Sequence, residues 1–279
     1  MTATVSTTVS TTVSTLDVPG ARLHFEVRGQ GPLVALVGAP MDAGSFAALA
    51  DLIAGDHTVL TTDPRGIRHS PLDDPAQDST PQLRADDLSR LLAHVEAGPA
   101  VVFGSSGGAV TALALAQARP DQVRGVVAHE PPLIELLPDR DKLHRQTDEL
   151  IAAYLSGDVV GAWAGVMGQA GITVPDGALE MMFGGPRDPR DVADERRWFA
   201  HELHATTHWA PDLDRLRATP GLVIGIGEES AGQLCDRASR ALGQALGLDP
   251  VPFPGDHTGF ADDPGAFAPV LRAVLNRLR

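Results

Sequence analysis

The sequence predicts an α/β fold: a mostly parallel, eight-stranded sheet with helices on both faces and a helical cap. Three observations carry that expectation. Short apolar runs such as Leu33–Val37 (LVALV) and Val123–Ala128 (VRGVVA) recur, as in strands buried on both faces. Stretches of helical period separate these runs, which is the rhythm of a parallel sheet wrapped by helices. One long segment, residues 133–218, breaks the alternation.

The elements follow in order. Residues 1–15 carry the near-repeat TATVSTTVSTTVST, which reads as a disordered leader, an extra edge strand being the alternative. It has neither the basic nor the apolar region of a secretory signal. Residues 16–132 and 219–279 are expected to form the core, and 133–218 a helical cap insertion. Ala21–Arg28 alternates like a half-exposed strand and ends in the turn GQGP. Leu33–Val37 is a buried strand, Ser45–Ile53 a helix, and His57–Thr62 a strand stopped by Asp63-Pro64-Arg65-Gly66.

Thr80–Glu96 is an amphipathic helix with Leu83, Leu88, Leu91, Leu92 and Val95 on one side, started by a capping Ser or Thr beside a proline. Next come the strand Ala100–Phe103, a glycine-rich turn and a helix through Ala118 that Pro120 stops. Val123–Ala128 is another strand, ended by HEPP. The insertion holds all three tryptophans, Trp163, Trp198 and Trp209. Leu222–Ile226, a helix over Gly232–Leu246, the strand Val251–Phe253 and a last helix over Pro264–Leu278 complete the core.

Charge and composition narrow the function classes. The net charge is −14, from 36 acidic and 22 basic residues, which disfavours nucleic acid and anionic membrane as partners. No window approaches the 18 or so consecutive apolar residues of a membrane span. A single cysteine, Cys235, rules out an internal disulfide and fits a reducing, cytoplasmic setting. A small-molecule substrate is the expected partner, and a homodimer stays open.

The turn Gly104-Ser105-Ser106-Gly107-Gly108 contains G-x-S-x-G with Ser106 at its centre, between a predicted strand and a predicted helix. A sharp strand-to-helix turn strains the central residue and is tolerable only beside residues without bulk. The helix start then aims N–H groups and positive dipole at whatever that residue meets. The bland alternative is a glycine-rich turn with no chemistry. A serine hydroxyl needs a base, and His257, in PGDHTGF after the last strand, is the candidate. An oxyanion hole needs two backbone N–H groups. Gly107 offers one; in the loop Gly38-Ala39-Pro40-Met41 the proline has none, so Ala39 is the second. Met41, Trp163 and Trp209 are expected to line the substrate pocket.

Together VGAP, DPRGIRHS, GSSGG, HEPP, GIGEES and PGDHTGF resemble the α/β-hydrolase fold from about residue 16 to 279. The chain also resembles actinobacterial-type hydrolases, often of unassigned substrate, that carry HEPPL after the sixth strand. The resemblance implies a serine hydrolase without a cofactor; it does not name a substrate. It departs at the acid. Most members place an aspartate in a G-x-x-D turn after the seventh strand, whereas Gly227-Glu228-Glu229-Ser230 carries a serine there. Either Glu228 or Glu229 reaches back to the histidine, or the acid moves to Glu130 at the end of the sixth strand, as in haloalkane dehalogenases.

The leading expectation is hydrolysis of a small carboxylic ester, thioester or lactone. The same residues would also serve C–C hydrolysis, lyase or acyl-transfer chemistry, and a non-catalytic ligand-binding scaffold is the third reading. A serine at position 106 argues against dehalogenase and epoxide hydrolase chemistry, which use an aspartate nucleophile in this fold. His201-Glu202-Leu203-His204 falls one residue short of H-E-x-x-H, and His204 with His208 lacks an evident third ligand. No metal is therefore expected from the sequence.

Overall fold

The computed structural model describes residues 10–278. One sheet runs through β1 (Thr11–Val18), β2 (Ala21–Arg28), β4 (Thr58–Thr62), β3 (Leu33–Val37), β5 (Ala100–Ser105), β6 (Val123–His129), β7 (Leu222–Gly227) and β8 (Val251–Phe253), in that spatial order. The first two junctions, β1 with β2 and β2 with β4, are antiparallel; every junction from β4 onward is parallel.

The strands sort their side chains with period two into two cores. Leu33, Ala35, Val37, Ala100 and Val102 face a layer holding α2 (Pro81–Val95), α3 (Gly107–Ala118) and α10 (Leu234–Leu246). Val34, Leu36, Val101 and Phe103 face α1 (Ala47–Ile53), α11 (Gly259–Asp262) and α12 (Pro264–Arg277). Burial on both faces is why these strands read as continuous apolar runs.

Two boundaries are corrected. The leader expected to be disordered through residue 15 is already strand from Thr11, paired from Thr11 opposite Arg28 to Val18 opposite Ala21; its residues 1–9 lie outside the described ones. Its threonines and valines suit an edge strand, but both of its faces are largely exposed, so no alternation marks it. The helix expected from Gly232 begins at Leu234, because Gly232 adopts φ 81°, off the helical path.

Between β6 and β7 lie α4 (Arg140–Leu155), α5 (Val159–Ala170), α6 (Ala178–Phe183), α7 (Pro189–His201), α8 (Leu203–Thr207) and α9 (Leu213–Ala218). This insertion has its own small core of Leu150, Tyr154, Ala162, Phe199 and Leu203. Tyr154 and Phe199 stack there with ring centroids 4.1 Å apart. Among the described residues no helix is long and apolar enough to cross a membrane.

Candidate active site

The parallel strands end at one edge of the sheet, and the loops leaving that edge carry Ala39, Ser106, Glu130 and His257. Ser106 lies between β5 and α3 at φ 55°, ψ −124°, a conformation L-residues seldom adopt. The two residues that follow it have to be glycine. A Cβ on Gly107 would stand 2.4 Å from the Ala39 carbonyl oxygen, and one on Gly108 2.1 Å from the Val37 oxygen. The crowding packs the start of α3 against the loop after β3. Ala39 and Gly107 are thereby in contact, and neither amide N–H has an intramolecular acceptor among the described residues. Asp63 shapes the same loop from behind, its Oδ1 accepting from the Ala43 N–H at 2.9 Å.

Ser105 points away. Fully buried, it shares a 3.0 Å hydrogen bond with His129 Nδ1. Burial holds that imidazole neutral, its pKa pushed down to about 4.

Glu130 follows β6 in the left-handed region at φ 49° and is completely buried. Strand register puts it beside the serine turn: Ser105 pairs with His129, and the Ser106 N–H donates to the His129 carbonyl at 2.9 Å. Its Oε1 accepts from the Gly227 N–H at 2.8 Å, and its Oε2 lies 2.6 Å from His257 Nδ1. Burial alone would raise the Glu130 pKa. The hydrogen bond and charge of His257, with His129 and the nearby Ser230 hydroxyl acting the same way, bring it down to about 2. An ionised carboxylate only accepts, so Nδ1 carries a proton, and it is the neutral form of the ring that keeps a lone pair at Nε2. Burial pushes the His257 imidazole down, but neighbouring Cys235 and Glu130 outweigh it and hold its pKa above the ordinary histidine value.

The structure thus brings Ala39 against Gly107 and His257 against Glu130, with Ser106 tied through its N–H to the residue before Glu130. Ser106 Oγ itself has no hydrogen-bond partner among the described residues, His257 included. Glu228 and Glu229, the alternative acids, are exposed; among the described residues only their backbone N–H groups are engaged, to Phe253 and Gly255. Ser230, in the family's acid position, is fully buried.

Beside this edge a cleft of about 270 Å³ opens between the Pro40–Met41 loop and the insertion, with Met41, Arg68, Trp163 and Trp198 in its walls. Trp163 donates its indole N–H to Glu195 at 2.9 Å and stacks on Phe183. Trp209 does not join it. It is 8% exposed and packs into the main core with Leu216 and Leu234, so its expected place in the pocket is corrected, and Trp198 stands there instead. Sequence reasoning also missed Cys235 as a neighbour of His257. Its one signal is a position at the start of the helix after β7, on the same sheet edge.

Residues 31–161 match the family described as alpha/beta hydrolase fold. The uncharacterized hydrolase YraK of Bacillus subtilis (strain 168) is 30% identical over 281 residues, covering 94% of this chain and 96% of its own. Among solved structures, a thermophilic esterase from Thermogutta terrifontis with malate bound has a TM-score of 0.69 at 18% identity, covering 98% of this chain and 99% of its own. Est816, an N-acyl homoserine lactone degrading enzyme, has a TM-score of 0.68 at 19% identity, covering 93% of this chain and 99% of its own. At such identities the structural likeness speaks for the fold alone. The Bacillus relative, similar across nearly the whole of both chains, shows the family: this protein is a member of the α/β hydrolases.

Proposed function

We propose that the protein is a serine hydrolase that cleaves a small carboxylic ester, thioester or lactone through an acyl-enzyme. The observation that carries this reading is the buried Glu130 carboxylate 2.6 Å from His257 Nδ1, beside the strained turn at Ser106. Glu130 orients the imidazole and stabilises its protonated form. When substrate is seated, the Ser106 hydroxyl turns to His257 Nε2, since catalytic hydrogen bonds tighten in the complex.

Nε2 accepts the Ser106 proton as Oγ bonds to the substrate carbonyl carbon. The N–H groups of Ala39 and Gly107 receive the developing oxyanion, one such donor being worth about 3 kcal/mol in the transition state. Collapse breaks the bond to the leaving oxygen or sulfur, which takes the proton from His257. Water, deprotonated by the same imidazole, then attacks the acyl-enzyme and frees Ser106. The cleft walled by Met41, Trp163 and Trp198 accepts one arm of the substrate. Esterase and lactone-degrading neighbours in the fold suit this chemistry.

Labelling with a fluorophosphonate probe tests the reading. The wild-type chain is expected to label stoichiometrically, with Ser106→Ala unlabelled and slower on p-nitrophenyl esters by on the order of 10⁶-fold in kcat. A wild type inert to the probe, or a label that survives Ser106→Ala, overturns it.

A further inference from the structure

His204 and His208 offer two ligands one helical turn apart, and the fold supplies a third from a different helix. Asp148 on α4 faces α8, with which α4 packs, and its Oδ1 lies 3.6 Å from His204 Nε2. The ligand atoms of Asp148, His204 and His208 all fall within 4.8 Å of one another. A tetrahedral zinc site with bonds of about 2.0 Å has ligand–ligand edges of about 3.3 Å, and closing on one requires the exposed His204 ring to turn out of its 10° stack on His208 so that both lone pairs meet at the ion.

The second shell is already built. His208 Nδ1 stands 2.9 Å from the His204 carbonyl oxygen, an acceptor only, so Nδ1–H donates to it and Nε2 keeps a free lone pair. Metal-bound histidines are oriented in this way by a carbonyl behind the ring. The His208 ring is also held from the side by His144, stacked on it at 3.8 Å. His144 itself turns to Glu135, 3.6 Å from its Nε2. A second cluster, His24, Asp63 and His69, is less available: Asp63 already accepts from the N–H groups of Ala43 and His69.

We propose that Asp148, His204 and His208 bind a divalent transition-metal ion, Zn(II) first, that staples α4 to α8, with water completing its coordination. Two imidazoles and one carboxylate favour zinc over magnesium or calcium. The site belongs to the insertion and is independent of the hydrolytic reading.

Titration of the tag-free full chain with ZnSO₄ by calorimetry tests it, with Co(II) absorption as a second readout. The expected result is saturation at one ion per chain and a visible Co(II) band of low coordination number. His204→Ala, His208→Ala and Asp148→Asn should each weaken binding by at least about tenfold, while His69→Ala binds as wild type. Zinc should raise the melting temperature of the wild type and of His69→Ala, and leave the three site variants unmoved. His204 and Asp148 are 62% and 57% exposed, so their variants fold without the ion. No saturable binding, unchanged affinity in His204→Ala, or loss confined to His69→Ala would each overturn the proposal.

Discussion

At the scale of single residues the site turns on Glu130. A wholly buried carboxylate is costly unless its oxygens are engaged, and here the Gly227 N–H takes one and His257 the other. Glutamine at this position keeps the shape but not the charge. It can offer an N–H₂ to the imidazole and favour the wrong tautomer, so Glu130→Gln should lower kcat by about 10³-fold or more. The sign of the pH effect follows from the same contact. Burial lowers the His257 pKa, Cys235 and the Glu130 carboxylate together raise it above the ordinary value, and a general base works only when neutral. The acid limb of kcat/KM in the wild type should therefore lie above the ordinary histidine range and shift to lower pH in Glu130→Gln. Rate profiles on a p-nitrophenyl ester measure both, and an unmoved limb would separate Glu130 from the imidazole.

At the scale of elements, the close approach of α3 to β3 presents the amides of Ala39 and Gly107 at one place. Gly108 sets that approach, since a Cβ there meets the Val37 oxygen at 2.1 Å and the Gly38 Cα at 2.7 Å, both backbone atoms that cannot swing aside. Gly108→Ala should push α3 outward, destabilise the fold by about 1–3 kcal/mol and abolish most turnover; urea melts with activity assays read the two effects. This element was legible in the sequence because its steric demand shows as composition: only small residues fit, so only small residues stand there. The buried strands were legible for a similar reason, both faces needing apolar side chains. Other features were not. β1 is exposed along most of both sides, its burial confined to Leu16 and Val18 at one end, and shows no alternation. The choice among Glu130, Glu228 and Glu229 rests on register, His129 lying opposite Ser105 on one side and Gly225 on the other, and no local pattern encodes it. Trp198 stands where Trp209 was expected because the direction a tryptophan faces depends on how irregular helices pack. The break after His201, where Glu202 sits at φ −130°, is one such irregularity.

Across the whole molecule, one buried guanidinium ties the insertion to the sheet edge that carries Ser106. Arg84, on α2, is 3% exposed; its Nε donates to Thr111 Oγ1 at 2.9 Å, its Nη2 to Thr206 Oγ1 at 2.9 Å, and its Nη1 to the Ser79 carbonyl at 2.6 Å. Thr111 in turn donates to the Gly107 carbonyl at 3.1 Å, so insertion, α2 and the turn beside Ser106 share one hydrogen-bonded path. Glu202 is 1% exposed; burial raises its pKa, and Arg84, 3.8 Å away, works against that ahead of Arg197. Removing the arginine strands the carboxylate, whereas removing both charges relieves it. Arg84→Met should therefore cost about 3–5 kcal/mol, Glu202→Gln much less, and the double variant should recover part of the loss. Chemical denaturation of the four proteins closes this cycle, and strictly additive losses would show that the two charges do not act as a pair. A coupling that appears instead, together with a fall in kcat for Arg84→Met, would place the docking of the insertion and the geometry at Gly107 under control of one side chain.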